Sequence, residues 1–488
     1  VYHPDPPYNQ GSWHFGWTVD NNPNGPSFFT PGAVYRAFYD QPIFVRRIND
    51  MPPIGQGRID FALPSFTVHL HNAHTASESD GIPSDYFNPG EFWDHHYGNL
   101  KAGGEDKETM STLWYHDHRL DFTAPNVYAG ISGPYFLFDE RDSNNEEDTN
   151  PEAFRLPSGE FDIPLMFHDV QFDQDGQAIW DFSNPDTQEL DGKTLPSFEH
   201  ATFGMLGDQY TVNRVILPYH EVKRRKYRFR LINGGPSRLY NFSLRLEGAD
   251  GTDKGRVPIT IISNDGNLLT RPLVADNLAI WVANRYDIII DFSQFDGGDR
   301  LYLTNHMEMK PAGDGPTGRY MEPGDQILQW RILPGDVNDP SQVPERFRDQ
   351  PDIDFTEVRR ERLFVFDYDN GLFTINGKLM DPNRVDAAIE QGSAEIWTFR
   401  NEGTSWGHPI HTHFEEFQIF ERNGRPIEPG SLEDGRSDVV QLGPGDEVKF
   451  YGRWRDFLGR HVMHCHNVVH EDHSMMIRWD IVPPGQGD

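Results

Sequence analysis

The chain has 488 residues, with 43 basic and 76 acidic side chains, one cysteine and 21 histidines. A net charge of −33 excludes the cationic field that a nucleic-acid binder needs. No apolar run approaches the roughly 18 residues of a membrane-spanning helix. One cysteine cannot close an intramolecular disulfide, so packed cores must carry the stability.

At about 150 residues per domain, the length suggests roughly three domains. Forty-five glycines, 37 prolines and 13% aromatics favour short strands and turns over long helices. The sequence opens at Val1 with no basic, then apolar, leader, which reads as a processed, secreted protein. Tyr2 to Pro26 reads as irregular. Tyr35 to Asp50 predicts a strand, a turn and a second strand. Asp94, His95 and His96 fall in the aromatic stretch Tyr86 to Asn99, and both histidines are read as surface or supporting groups. The acidic run Asp139 to Pro157 predicts a linker.

Glu221 to Gly234 and Gln391 to Gly403 each predict a turn and then a strand of alternating apolar and polar residues. Like the first segment, each closes on an asparagine: Asn49, Asn233 and Asn401. Period-2 strands recurring at domain-sized spacing predict three related β-sandwich or barrel domains. Asn241-Phe-Ser243 is a glycosylation sequon, but its place in an alternating strand argues against modification. His306 to Arg319 reads as a variable loop. Pro334 to Arg360 is a second irregular stretch. The predicted domains are therefore 1–150, 151–335 and 361–488, with the middle one serving as spacer and scaffold.

Ten of the histidines fall in four clusters: His69-Leu-His71, His116-Asp-His118, His408-Pro-Ile-His411-Thr-His413, and His464-Cys-His466 with His470 downstream. On a strand, residues two apart leave the same face, so each His-x-His pair can aim both imidazoles at one metal cluster. The pairs recur at similar spacing in the first and third domains, and a cluster where these meet would collect eight imidazoles. Cys465 points to the opposite face. With His408 and His470 it forms a His₂Cys set, and Met475 can be its weak axial ligand, which is the blue-copper arrangement. Zinc also takes imidazole and thiolate, but it is redox-inert and prefers closed tetrahedral sites. Cys465 and its neighbours would join the two sites across a gap on the order of 10 Å. Four coppers would match the four electrons that O₂ requires.

The four motifs, in this order, resemble the multicopper oxidases, in particular the bilirubin oxidases and bacterial spore-coat laccases. So do Asn126-Val-Tyr-Ala-Gly130, Arg225-Lys-Tyr-Arg-Phe-Arg230 and Arg285-Tyr-Asp-Ile-Ile-Ile-Asp-Phe292. The resemblance implies three consecutive cupredoxin-like Greek-key β-barrel domains holding four copper ions. It implies a type 1 copper on His408, Cys465, His470 and Met475, and a type 2 copper on His69 and His411. The type 3 pair would take His71, His116, His118, His413, His464 and His466. It also implies that Asp80 and Glu471 supply protons to the cluster. Two departures stand out. Asn72 replaces the glycine that many relatives carry, and less chain precedes the first copper motif, so a first strand or two is missing or supplied otherwise.

The implied activity is the oxidation of phenols, aromatic amines or a tetrapyrrole by O₂, with O₂ and small aromatic reductants as partners. A metallo-oxidase acting on Mn(II), Fe(II) or Cu(I) is the alternative; 11 scattered methionines disfavour the Cu(I) version. A copper-free structural relative would lack ligands, and none is lacking.

Overall fold

Alternating side chains build sheets with one apolar face each, and these sheets pack in three successive sets along the chain. The computed structural model describes residues 1–19, 28–180, 189–190, 193–194, 203–310, 315–369, 371–403 and 407–488. In the first set, Tyr35–Phe38, Ser132–Phe138, Thr112–Asp117 and Val68–His71 lie side by side in that order. The pair Ile43–Ile48 and Phe92–Tyr97 packs against them over a core that includes Leu70, Tyr97, Tyr115 and Tyr135. Residues 162–336 hold an eight-stranded and a six-stranded sheet around Phe229, Ile288 and Trp330. Residues 358–482 hold a seven-stranded and a five-stranded sheet around Trp397, Phe450, Met463 and Trp479. The expected all-β class is observed; among the described residues the α-helices are the short Thr123–Ala129 and Val468–Asp472.

The three recurring asparagines do the same job in each set. All are buried at a strand end, and each side-chain oxygen accepts the backbone N–H two residues on, from Met51, Gly235 and Gly403. Their amides donate to carbonyls of neighbouring segments: Pro64 and Phe87, Arg238, and Leu442. An asparagine supplies both a turn acceptor and a cross-link donor there, which explains the repeat.

Four expectations change. Glu221 to Gly234 is two strands, Tyr219–Arg224 and Lys226–Asn233. The break falls at Arg225, whose guanidinium turns to Glu146 at 2.6 Å and Asp339 at 3.1 Å. The acidic run 139–157 is a packed connection: Asp139 pairs with Arg348, while Phe154 and Leu156 enter a core with Ile262 and Phe347. His306 lies in the strand Arg300–Met309, where its ring meets Ser243 at 2.7 Å and the Met321 carbonyl at 2.6 Å. The rest of that stretch enters the paired strand Pro316–Asp336, and 311–314 lie outside the described residues. His95 is buried against Arg47 and Tyr97, whereas His96 stacks on exposed Phe44 at 4.4 Å. The sequon residue Asn241 sits in a strand paired on both sides, as its alternation implies.

The strand Lys226–Asn233 carries a further consequence of alternation. Tyr227, Phe229 and Leu231 face the middle core, and Arg228 and Arg230 leave the other face. That second face is buried against the first set, and both arginines are essentially inaccessible. Arg228 pairs with Asp142 at 2.9 Å and with Asp287, and Arg230 pairs with Asp162 at 2.7 Å. Removing one partner of such a buried pair strands the other charge, at about 3–5 kcal/mol. Arg228→Met is therefore expected to lower stability by about that amount, read from denaturant unfolding followed by tryptophan fluorescence. A loss under about 1 kcal/mol would show that the acids find other partners.

Candidate metal centres

Register brings the histidines together. Val68–His71 pairs antiparallel with Thr112–Asp117, setting His69 opposite His116. His408–Thr412 pairs with Gly459–Cys465, setting His411 opposite His464. The two ladders belong to the first and third sets, and their histidine faces meet. His118, His413 and His466 extend one residue past their strands and complete the cluster. All eight rings are buried.

The ring nitrogens converge in threes, so no arrangement of N–H donors can pair all of them. His118, His413 and His464 place their Nε2 atoms 3.0, 3.1 and 3.3 Å apart. His116 Nε2 lies 3.4 Å from His71 Nδ1 and 3.3 Å from His466 Nε2. His69 and His411 oppose their Nε2 atoms at 3.3 Å, and His71 completes a third group.

The opposite nitrogens are held by oxygen. A carbonyl or carboxylate can only accept, so the ring nitrogen facing it carries the hydrogen and the other presents a lone pair. His69 Nδ1 donates to the Asp80 carbonyl at 2.5 Å, and His116 Nδ1 to the Asp117 carbonyl at 2.7 Å. His411 Nδ1 donates to the Asp438 carbonyl at 2.9 Å. Carboxylates face the others: Asp80 at His413 (3.0 Å), Glu471 at His118 (3.2 Å) and His464 (2.9 Å), and Asp438 at His71 Nε2 (3.4 Å). Burial, reinforced in most of them by neighbouring imidazoles, lowers the basicity of His71, His116, His411, His413 and His466, and brings His118 down to about 3. The rings are neutral and offer lone pairs at ordinary pH. Converging lone pairs in a buried core fit a cluster of soft to borderline cations such as copper.

Cys465 turns to the other side of its strand. Its Sγ lies 3.4 Å from His408 Nδ1 and 3.5 Å from His470 Nδ1, and those two nitrogens are 3.2 Å apart. His470 sits on the helix Val468–Asp472, which Asn467 caps, and its Nε2 donates to the Phe203 carbonyl at 2.8 Å. Burial pushes the Cys465 thiol well up, so its thiolate forms together with metal binding. Met475 is fully buried in the same apolar cluster, and its carbonyl accepts the Cys465 N–H at 3.1 Å. The trigonal His₂Cys donor set fits copper.

Asn72 has φ of 72°, the left-handed region that glycine enters freely and asparagine tolerates. Its amide donates to the Asp265 carbonyl at 2.8 Å and to Glu416 at 2.5 Å, contacts a glycine could not make. The asparagine thus keeps the turn after His71 and ties it to the middle and third sets.

Each residue expected in a metal site lies in one of these two clusters or against it. Four supporting residues carry no spacing signal. Asp438 and Arg285 are described below. Asp117, between two ligands, points away from the cluster, accepts the Thr67 and Asn126 donors at 2.9 Å, and is pushed by burial to about 8. His461, three residues before His464, is buried and meets Asp80 at 3.1 Å. Period 2 hides His461 from the pair pattern.

A sequence profile of the multicopper oxidases matches residues 352–485. The bilirubin oxidase of Albifimbria verrucaria is 33% identical over 420 residues, covering 84% of this chain and 66% of that protein. The laccase of Bacillus subtilis is 29% identical, covering 93% of this chain and 89% of that protein. The crystal structure of the McoA multicopper oxidase from Aquifex aeolicus superposes with a TM-score of 0.74 at 23% identity, covering 96% of this chain and 94% of that one. Similarity over this much of the sequence leaves one assignment: the chain belongs to the multicopper oxidase family.

Proposed function

We propose that the chain is a laccase- or bilirubin oxidase-like enzyme that takes single electrons from phenols, aromatic amines or a tetrapyrrole and reduces O₂ to water. The observation that carries this reading is the pair of donor sets on opposite faces of one strand, ending at Cys465. His408, Cys465, His470 and Met475 would hold a type 1 copper. His69 and His411 would hold a type 2 copper, and His71, His116, His118, His413, His464 and His466 the type 3 pair. Bound copper would supply one-electron acceptance at the first site and four-electron O₂ reduction at the second.

The chain's own residues contribute connection, orientation and protons. Cys465 is bonded through the backbone to His464 and His466, so electron entry and the imidazole cluster share one rigid strand. His470 lies with its ring 3.8 Å from Phe373, which packs in turn, tilted, against Tyr368. The carbonyl of Phe203 holds the outer nitrogen of His470. Similarity to a bilirubin oxidase and a laccase supports aromatic reductants over bare metal ions.

Glu471 bridges the outer nitrogens of His118 and His464. Burial opposes its ionisation, but those two imidazoles outweigh it and hold the carboxylate below its usual range. Asp80 is held well below its range: burial opposes, and His413, His461 and His69 outweigh it. Each acid must therefore capture a proton in every turnover and pass it inward, a step that slows as pH rises.

Three measurements check this reading. Copper analysis is expected to give about four ions per chain with an intense blue band, and Cys465→Ser to remove the band and one copper. One copper per chain, or a blue colour surviving Cys465→Ser, would overturn it. Glu471→Gln is expected to cut turnover by roughly 10²-fold or more at neutral pH, with the deficit shrinking toward acid pH. Full neutral turnover in that variant would remove Glu471 from the proton path. Steady-state rates under O₂ should favour a phenol or bilirubin over Mn(II); the reverse order would establish the metallo-oxidase alternative.

A further inference from the structure

Three carboxylates surround the eight-imidazole cluster, and each clamps one ring from the first set and one from the third. Asp80 holds His69 and His413, whose rings stack at 3.7 Å. Glu471 holds His118 and His464. Asp438 sets its carboxylate 3.4 Å behind His71 Nε2 and accepts His411 Nδ1 on its carbonyl at 2.9 Å, and these rings also stack at 3.7 Å. His71 belongs both to the group with His69 and His411 and to the group with His116 and His466. Asp438 thus stands where two of the metal groups join.

Asp438 is itself gripped from the middle set, which contributes no copper ligand. Arg285 donates to its two oxygens at 2.7 and 2.8 Å, a bidentate fork. The rest of the guanidinium is fully engaged: with the Ala283 carbonyl at 3.0 Å, the Asp265 carbonyl at 2.8 Å, and the Thr112 carbonyl at 3.3 Å. Thr112 opens the strand that carries His116. Arg285 and Asp438 are both fully buried. One side chain therefore fixes a first-set strand and a third-set acid at once, and sets the carboxylate on which His71 aligns its Nδ1 toward His116.

We propose that Arg285 and Asp438 are positioning residues for the oxygen-reducing cluster, through which the middle set holds His71 and His411 in their metal-binding orientation. The proposal rests on the copper-cluster reading above. A carboxylate behind a ligating imidazole fixes its tautomer and direction, and losing such a partner costs about 10–100-fold in metal affinity. Lysine cannot reproduce the planar fork, so it should not substitute fully.

The test is copper loading of purified Arg285→Met, Arg285→Lys and Asp438→Asn, read by copper per chain, the blue band, and the paramagnetic resonance of the non-blue copper. Expected is an intact blue band in all three, with cluster copper lost at limiting metal. Reloading should need about 10–100-fold more free copper in Arg285→Met and Asp438→Asn, and an intermediate amount in Arg285→Lys. An unchanged copper count and resonance in Arg285→Met and Asp438→Asn would overturn the proposal, as would parallel loss of blue and cluster copper, which marks a general structural role. Should Arg285→Met not fold, Asp438→Asn decides, since it keeps the shape of the acid. Wild-type protein lacking blue copper would instead sink the parent reading and leave these variants to speak only to stability.

Discussion

Lone pairs facing one another at about 3 Å in a buried site are unfavourable unless a cation lies between them. The cluster His118, His413 and His464 has that geometry, with Nε2 separations of 3.0–3.3 Å. The surrounding protein is arranged to keep these nitrogens unprotonated and convergent. Oxygen acceptors behind His69, His116, His411, His413 and His464 take the hydrogens outward, and carboxylates stand 3.2 and 3.4 Å behind His118 and His71. The sheets supply the directions: antiparallel register sets His69 against His116 and His411 against His464. Without the outward acceptors, the same eight rings would be free to hydrogen-bond one another and close the site.

This constraint also explains where the acidity of the chain is spent. A net charge of −33 invites a reading of solvated carboxylates, yet Asp80, Asp438 and Glu471 are among the most buried side chains. Each is balanced locally, by imidazoles or by a guanidinium. A second acid network joins the first and third sets, with Arg455 bound to Glu108 at 2.9 Å and Glu415 at 3.0 Å. Charge pairs of this kind gain little over apolar packing but fix relative orientation, and orientation is what a ligand set split between two sheets requires.

The two donor clusters were legible because period 2 makes His-x-His a statement about one face, and because Cys465 lies between two such residues. The three asparagine-terminated strands were legible for the same reason. What stayed hidden depends on contacts between segments far apart in the chain. Arg228 and Arg230 alternate as a solvent-facing strand would, and only the docking of the first set buries them. Asp438 has no fixed spacing to His71, from which it is separated by most of the sequence. The run 139–157 looks like a linker by composition, since a pattern of acids does not reveal that Arg348 and Arg228 await them.

The middle set looked dispensable to the chemistry, because no His-x-His pair lies in it. Its arginines argue otherwise. Arg228, through Asp142 and Ser111, and Arg230, through Ser111 and Thr112, anchor it to the first set, while Arg285 reaches the strand of His116 and the acid behind His71. A ligand set divided between two sheets needs both sheets held to within a fraction of an ångström. Two sheets that met only through their own imidazoles would depend on the metal to fix that distance. A third body with rigid, bidentate contacts to both fixes it beforehand. The strand Gly459–Cys465 meets the imidazole cluster on one face and presents Cys465 to His408 and His470 on the other. The middle set is thus what lets one short strand serve two metal sites.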